Sequence, residues 1–174
     1  RKQEIAKMLS VMLSVVESYH QYQFVIAGAP SLGYDFYKQF IKEENVHFVS
    51  GKTYDLLAHS YAALVTSGTA TLETALLNVP EVVCYRGNWI SYQIAKRVIS
   101  LKYISLVNLI MDAPVVTELI QGALNTRNLK VELNKLLNAD YREKLLKDYE
   151  ALREKLGNEG ASERTAQAIY DSLQ

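Results

Sequence analysis

The apolar positions of the first third of the chain switch repeatedly between two periods. Ile5, Met8, Leu9, Met12, Leu13 and Val16 recur at spacings of three and four, which predicts an amphipathic helix over residues 4–18. Tyr22–Ala27 is a short apolar run closed by Gly28, Ala29 and Pro30, the pattern of a buried strand running into a turn. The alternation then continues. Helices are expected over 34–41, 54–59, 71–78 and 89–99, and strands over 46–49, 62–66, 81–85 and 103–106. Strands that are apolar on both faces need helices above and below them. The pattern therefore predicts an α/β fold with a doubly wound, mostly parallel sheet. Such a sheet normally opens on a strand, and here a helix comes first. A first strand is thus expected upstream of Arg1, in a longer protein.

From Val115 the texture changes. Val116, Leu119 and Ile120 fit a short helix, and Leu129, Leu133, Leu136 and Leu137 fit another. Residues 140–155 form a third helix rich in Lys, Arg and Glu. After a break at 157–160, a last helix over 161–173 carries Ala166, Ile169, Tyr170 and Leu173 as its stripe. The expected division is an α/β nucleotide-binding domain over 1–112 and a helical C-terminal extension over 113–174, packed on that domain or on a partner chain. There is no internal repeat at a period of 20 to 50 residues.

Composition narrows the function classes. The 174 residues are 49% hydrophobic and 22% charged, ordinary for a globular domain. Nineteen basic and nineteen acidic residues balance, which argues against a generic nucleic-acid surface. Cys84 is the single cysteine, so there is neither a disulfide framework nor a cysteine zinc site. His20, His47 and His59 have no ligand spacing, and no metal is expected. No apolar run is long enough to span a membrane.

The chemistry is concentrated where predicted strands end. Thr66-Ser67-Gly68-Thr69-Ala70-Thr71-Leu72-Glu73 lies at a strand-to-helix junction, the end of an open sheet at which ligands bind. The first helical turn exposes unpaired N–H groups and the positive dipole end, which suit a phosphate. Gly68 admits close approach, Ser67 and Thr69 add hydroxyls, and Glu73 is one turn in, within reach of a ribose diol. The plainer alternative is that Ser67 and Thr69 cap the helix and Glu73 completes a capping box. Arg1 would head the first helix, where a guanidinium can clamp a diphosphate; a solvated terminal arginine is the other reading. Tyr85-Arg86-Gly87-Asn88-Trp89 follows the fourth strand and shares the rim with Ser67, so Arg86 is expected among the ligand-binding groups. Trp89 and Tyr92 would wall an apolar ligand or simply pack. Lys96, Arg97 and Lys102 would meet an anionic membrane surface or solvent. Asn108, after the expected fifth strand, offers a donor and an acceptor to the same rim, or forms a turn.

Taken in order, these blocks resemble the C-terminal half of the lipid-A-disaccharide synthases, glycosyltransferases of the GT-B architecture. The resemblance rests on Ser67-Gly68-Thr69-Ala70-Thr71-Leu72-Glu73, Val79-Pro80, Val82-Val83-Cys84-Tyr85 and Ile94-Ala95-Lys96-Arg97. Tyr103 to Ile110 and Glu118-Leu119-Ile120-Gln121 complete it. It covers roughly residues 1–137, and the run from Lys102 to Ile110 is its most specific part. The resemblance implies a Rossmann-like half that binds the UDP-sugar donor. The implied reaction joins UDP-diacylglucosamine to acylated glucosamine 1-phosphate, giving the lipid A disaccharide and UDP. It implies that Arg1 and the Ser67-Gly68-Thr69 turn hold the diphosphate, that Glu73 holds the ribose, and that Asn108 belongs to the active-site rim. No metal or other cofactor is implied. The general base is placed in an N-terminal domain outside this chain. The implied setting is the cytoplasmic face of the inner membrane, with peripheral contact, and pairing of two copies through the helical tail. Two other readings stay open: another GT-B enzyme of UDP-N-acetylglucosamine, such as a 2-epimerase or a peptidoglycan transferase, and a non-catalytic α/β interaction module.

Overall fold

The computed structural model describes residues 2–87, 102–157 and 161–172. The expected helix over 89–99, with Trp89, Tyr92, Lys96 and Arg97, lies outside the described residues, as does Arg1. Five short strands are present among the described residues: β1 Phe24–Gly28, β2 Val46–Ser50, β3 Ala63–Thr66, β4 Glu81–Tyr85 and β5 Thr117–Ile120. β1 and β2 pair in one sheet, and β3, β4 and β5 form a second in that order. Every pairing is parallel, with Gly28 opposite Ser50, Thr66 opposite Cys84, and Tyr85 opposite Ile120. The α/β architecture with parallel strands is the one that the alternating apolar runs require.

The centre of the second sheet shows why. β4 is buried at Glu81, Val82, Val83 and Cys84, so both of its faces are covered. Its core also takes in Val107, Val116, Leu119, Leu129, Leu133, Leu145, Tyr149 and Leu152. A second core gathers Val16, Ile26, Leu32, Tyr37 and Val46. The first helix, α1 (Lys2–Leu13), serves both. Met8 and Met12 pack toward the larger core, and Ile5, Leu9 and Leu13 toward the smaller. The single stripe visible in sequence is therefore two adjoining stripes, each at helical spacing. The neighbours Val15 and Val16, just past the helix, fall in different cores.

The next helices are α2 (Tyr34–Tyr37), α3 (Thr53–Ala58) and α4 (Thr69–Leu76). Two predicted elements exchange type further on. Residues 103–106 were expected as a strand, but Leu106–Met111 is a helix, α5. Ser105 caps it by accepting the Asn108 amide at 3.3 Å, and this side-chain cap overrides the β-like look of a short apolar run. Val116, Leu119 and Ile120 were expected on a helix, but Thr117–Ile120 is strand β5, paired with β4. The three-and-four spacing was accidental. Val115, Val116 and Thr117 are β-branched, and pairing beside a fully buried strand decided the outcome.

The long C-terminal helices α6 (Thr126–Leu137) and α7 (Ala139–Leu156) form as expected, capped by Asn125 and Asn138. They pack on this chain's own sheet through the larger core. Arg142 lies over the Tyr61 ring at 3.9 Å from its centre, and Arg153 donates to the Leu76 carbonyl and the Asn78 side chain. The last helix, α8 (Ala161–Ser172), exposes Ile169 and Tyr170. No described helix is long and apolar enough to cross a membrane.

Candidate functional site

Parallel pairing puts the carboxyl ends of β3 and β4 side by side. Thr66 lies opposite Cys84, and the Ser67 amide extends the ladder by one bond to the Cys84 carbonyl at 3.3 Å. The chain then turns sharply. Gly68 has φ +148° and ψ −164°, a conformation that side chains rarely adopt. Among the described residues, a Cβ placed on Gly68 would meet no atom within 4 Å, so they leave the space before this backbone open. Helix α4 starts at the next residue.

The capping-box alternative is not what forms. Gly68 occupies the cap position and supplies no side-chain acceptor. The Ser67 hydroxyl instead donates across the rim to the Ile104 carbonyl, at 3.1 Å. The Thr71 and Thr74 hydroxyls turn back onto the helix, donating to the Gly68 and Ala70 carbonyls at 2.9 and 2.7 Å. Among the described residues nothing accepts from the amides of Gly68, Thr69 and Ala70. Gly68 and Thr69 are exposed. Unpaired N–H groups at the positive end of a helix, on an exposed surface, suit an anion electrostatically.

Glu73 is half-buried on the same helix, one turn beyond Thr69. Its carboxylate stands beside the Tyr54 phenol of α3 and pushes the ionisation of that phenol up. Tyr54 is 61% exposed. It was not singled out in the sequence, because an aromatic in a short helix carries no signal until folding brings α3 beside α4.

The other candidates are placed differently. Arg86 follows β4 on the same rim, but its guanidinium turns to the carbonyls of Leu124 at 2.5 Å and Gln121 at 3.4 Å. The Gln121 amide returns a bond to the Gly87 carbonyl at 3.3 Å. This stretch thus braces the turn that leads into α6. Asn108 is 1% exposed. Its amide donates to the Val116 carbonyl and to Glu118, both at 2.9 Å, and its oxygen accepts the Val116 amide at 2.9 Å. The side chain is saturated within the protein. Cys84 is buried in β4, and burial, with Glu81 nearby, pushes its thiol up to about 12. It is a packing residue with no thiolate at neutral pH.

The residue that the sequence reading left without a role is Glu118. It is an acid beside Leu119 and Ile120 on β5, and its carboxylate accepts the amides of Ile104 and Ser105 as well as Asn108. A charge in a run such as Val115-Val116-Thr117-Glu118-Leu119-Ile120 is itself a sequence signal, because burial of a carboxylate requires partners.

Comparison with known proteins supplies the family. A family model described as lipid-A-disaccharide synthetase matches residues 1–171. The lipid-A-disaccharide synthase of Syntrophus aciditrophicus is 39% identical over 174 residues, covering 95% of this chain and 45% of that protein. That of Solibacter usitatus is 32% identical over 179 residues, covering 100% of this chain and 47% of that protein. That of Synechocystis is 38% identical over 140 residues, covering 77% and 36%. The chain spans about half the length, or less, of these curated relatives. With a match over almost every residue, and with the SGT turn and its glutamate at the end of a parallel strand, the chain belongs to the lipid-A-disaccharide synthetase family.

Proposed function

We propose that this chain is the donor-binding half of a glycosyltransferase, and that the turn from Ser67 to Glu73 receives the diphosphate and ribose of a UDP-sugar. The observation that carries the reading is the open Gly68 backbone, with unpaired amides at the head of α4 and Glu73 one turn further along. Breaking the bond between the sugar and UDP leaves negative charge on the departing diphosphate. Fixed N–H donors aimed at that charge lower the barrier without having to reorganise. Arg1, outside the described residues, would add a guanidinium to the same phosphates. Arg86 and Asn108 support the rim through the Gln121–Leu124 turn and Val116, and any contact of theirs with the donor belongs to this proposal.

The reaction proposed for the whole enzyme joins UDP-diacylglucosamine to acylated glucosamine 1-phosphate, releasing UDP and the lipid A disaccharide. The names of the relatives support it. The acceptor hydroxyl needs a general base, and that role is proposed for a domain preceding this chain. Because both substrates are acylated, peripheral contact with the cytoplasmic face of the inner membrane is part of the proposal. So is pairing of two copies through the helical tail, where Ile169 and Tyr170 are exposed.

Titration of this chain with UDP tests the reading. Saturable binding that weakens by about tenfold in Glu73→Ala, the scale of one or two lost hydrogen bonds, supports it. Affinity unchanged in Glu73→Ala opposes it. The chain alone is expected to transfer no sugar, and measurable transfer would refute the division of labour.

A further inference from the structure

The segment Tyr103–Ser105 belongs to neither a strand nor a helix, yet it lies against the anion-receiving turn. Irregular backbone in such a place needs partners for its amides. One side chain provides them for Ile104 and Ser105. The Glu118 carboxylate accepts the Ile104 amide through both oxygens, at 3.1 and 3.0 Å. It also accepts the Ser105 amide at 2.9 Å and the Asn108 side-chain amide at 2.9 Å. Every partner is an N–H donor, so the position calls for a side chain that accepts at both of its polar atoms. The Ile104 residue held in this way presents its carbonyl to the Ser67 hydroxyl, and Ser67 begins the turn at Gly68.

We infer that Glu118 is a positioning residue of the donor site. It fixes the Ile104 carbonyl, Ile104 fixes Ser67, and Ser67 sets the direction of the unpaired amides of the Gly68–Ala70 turn. Glu118 lies on β5, paired with β4, so the relay anchors the turn to the sheet through a second route beside its own chain connection. The inference rests on the proposal that this turn binds UDP.

The test uses the full chain and UDP as probe. Glu118→Gln keeps the shape but sets an NH2 group against N–H donors, and UDP affinity is expected to fall about tenfold, the scale of one lost charge-assisted hydrogen bond. Asn138→Ala removes the cap of α7, a bond that shares no residue with this relay, and serves as a destabilised control expected to keep the parent affinity. In a Ser67→Ala background the relay is already cut, so Glu118→Gln should weaken binding little further. Parent affinity in Glu118→Gln, an equal loss in Asn138→Ala, or additive losses in the double variant would each overturn the inference while leaving the UDP reading intact. Should Glu118→Gln not fold, amide exchange in the parent decides: UDP should increase protection at Ile104 and Ser105, and unchanged protection there overturns the inference. A parent chain that does not bind UDP refutes the underlying reading, and this inference falls with it.

Discussion

Replacing Glu81 by Gln should make the protein more stable at neutral and alkaline pH. Glu81 opens the central strand β4 and is 1% exposed. Neither of its carboxyl oxygens has a hydrogen-bond partner among the described residues, and the Tyr149 phenol lies beside it. Burial pushes its carboxyl up from 4.5 to about 9. The folded protein therefore keeps the proton at pH 7, while the unfolded chain has been losing it since about pH 4.5. The unfolded state binds fewer protons across that window, so stability is fullest below about pH 4.5 and falls as pH rises toward about 9. At about 1.4 kcal/mol per unit, the roughly 2.5 units up to pH 7 remove about 3 kcal/mol. Gln has nearly the same volume and never ionises. It retains a buried polar group, but the cost of that group does not change with pH. Urea unfolding of parent and Glu81→Gln at pH 5, 6, 7 and 8 checks this. The stability difference should move in favour of the variant by about 4 kcal/mol from pH 5 to pH 8. Parallel curves, with a constant difference, would mean that the carboxyl is solvated or paired in solution and that the reasoning is wrong.

Three further outcomes follow from the packing and the rim. Asn108→Ala should cost about 2–4 kcal/mol in chemical unfolding, because it strands the Val116 amide and carbonyl in a buried site. A loss under about 0.5 kcal/mol would show that the Asn108 contacts do not persist. Gly68→Ala should cost about 1–3 kcal/mol from backbone strain at φ +148°, with no steric clash, and should abolish UDP binding by covering the open backbone. Calorimetry with and without UDP separates the two effects. Leu152→Ala, in a fully buried position of α7, should cost about 2–5 kcal/mol in thermal or urea unfolding if the tail packs on its own sheet. A negligible loss would place that helix elsewhere.

The parts of the fold legible in sequence were those in which local pattern and burial agree. β4 announces itself as Glu81-Val82-Val83-Cys84-Tyr85 after a proline, and α6 and α7 as leucines at helical spacing. The exchange of types near residues 103–120 was not legible. A short apolar run fits both periods, and only the Ser105 cap and the pairing of β5 with β4 choose between them. The strand-to-helix turn at Ser67-Gly68-Thr69 was legible because glycine between hydroxyl residues marks both a turn and a helix start. What Ser67 does there was not, since its partner Ile104 is 37 positions away. The same applies to Arg86 and Asn108, whose polar groups turned out to be directed at neighbouring backbone. Sequence suggests which residues carry polar groups at a rim, and tertiary contacts decide which of those groups remain free.

The central claim is that the amides of Gly68, Thr69 and Ala70 receive a diphosphate. Backbone amide resonances followed by NMR during titration with UDP, and separately with uridine, address it directly. The account predicts that these amides shift with UDP and scarcely with uridine, while Glu73 and its neighbours respond to both ligands. Shifts confined to another face of the chain, or equal responses of the three amides to UDP and uridine, would contradict it.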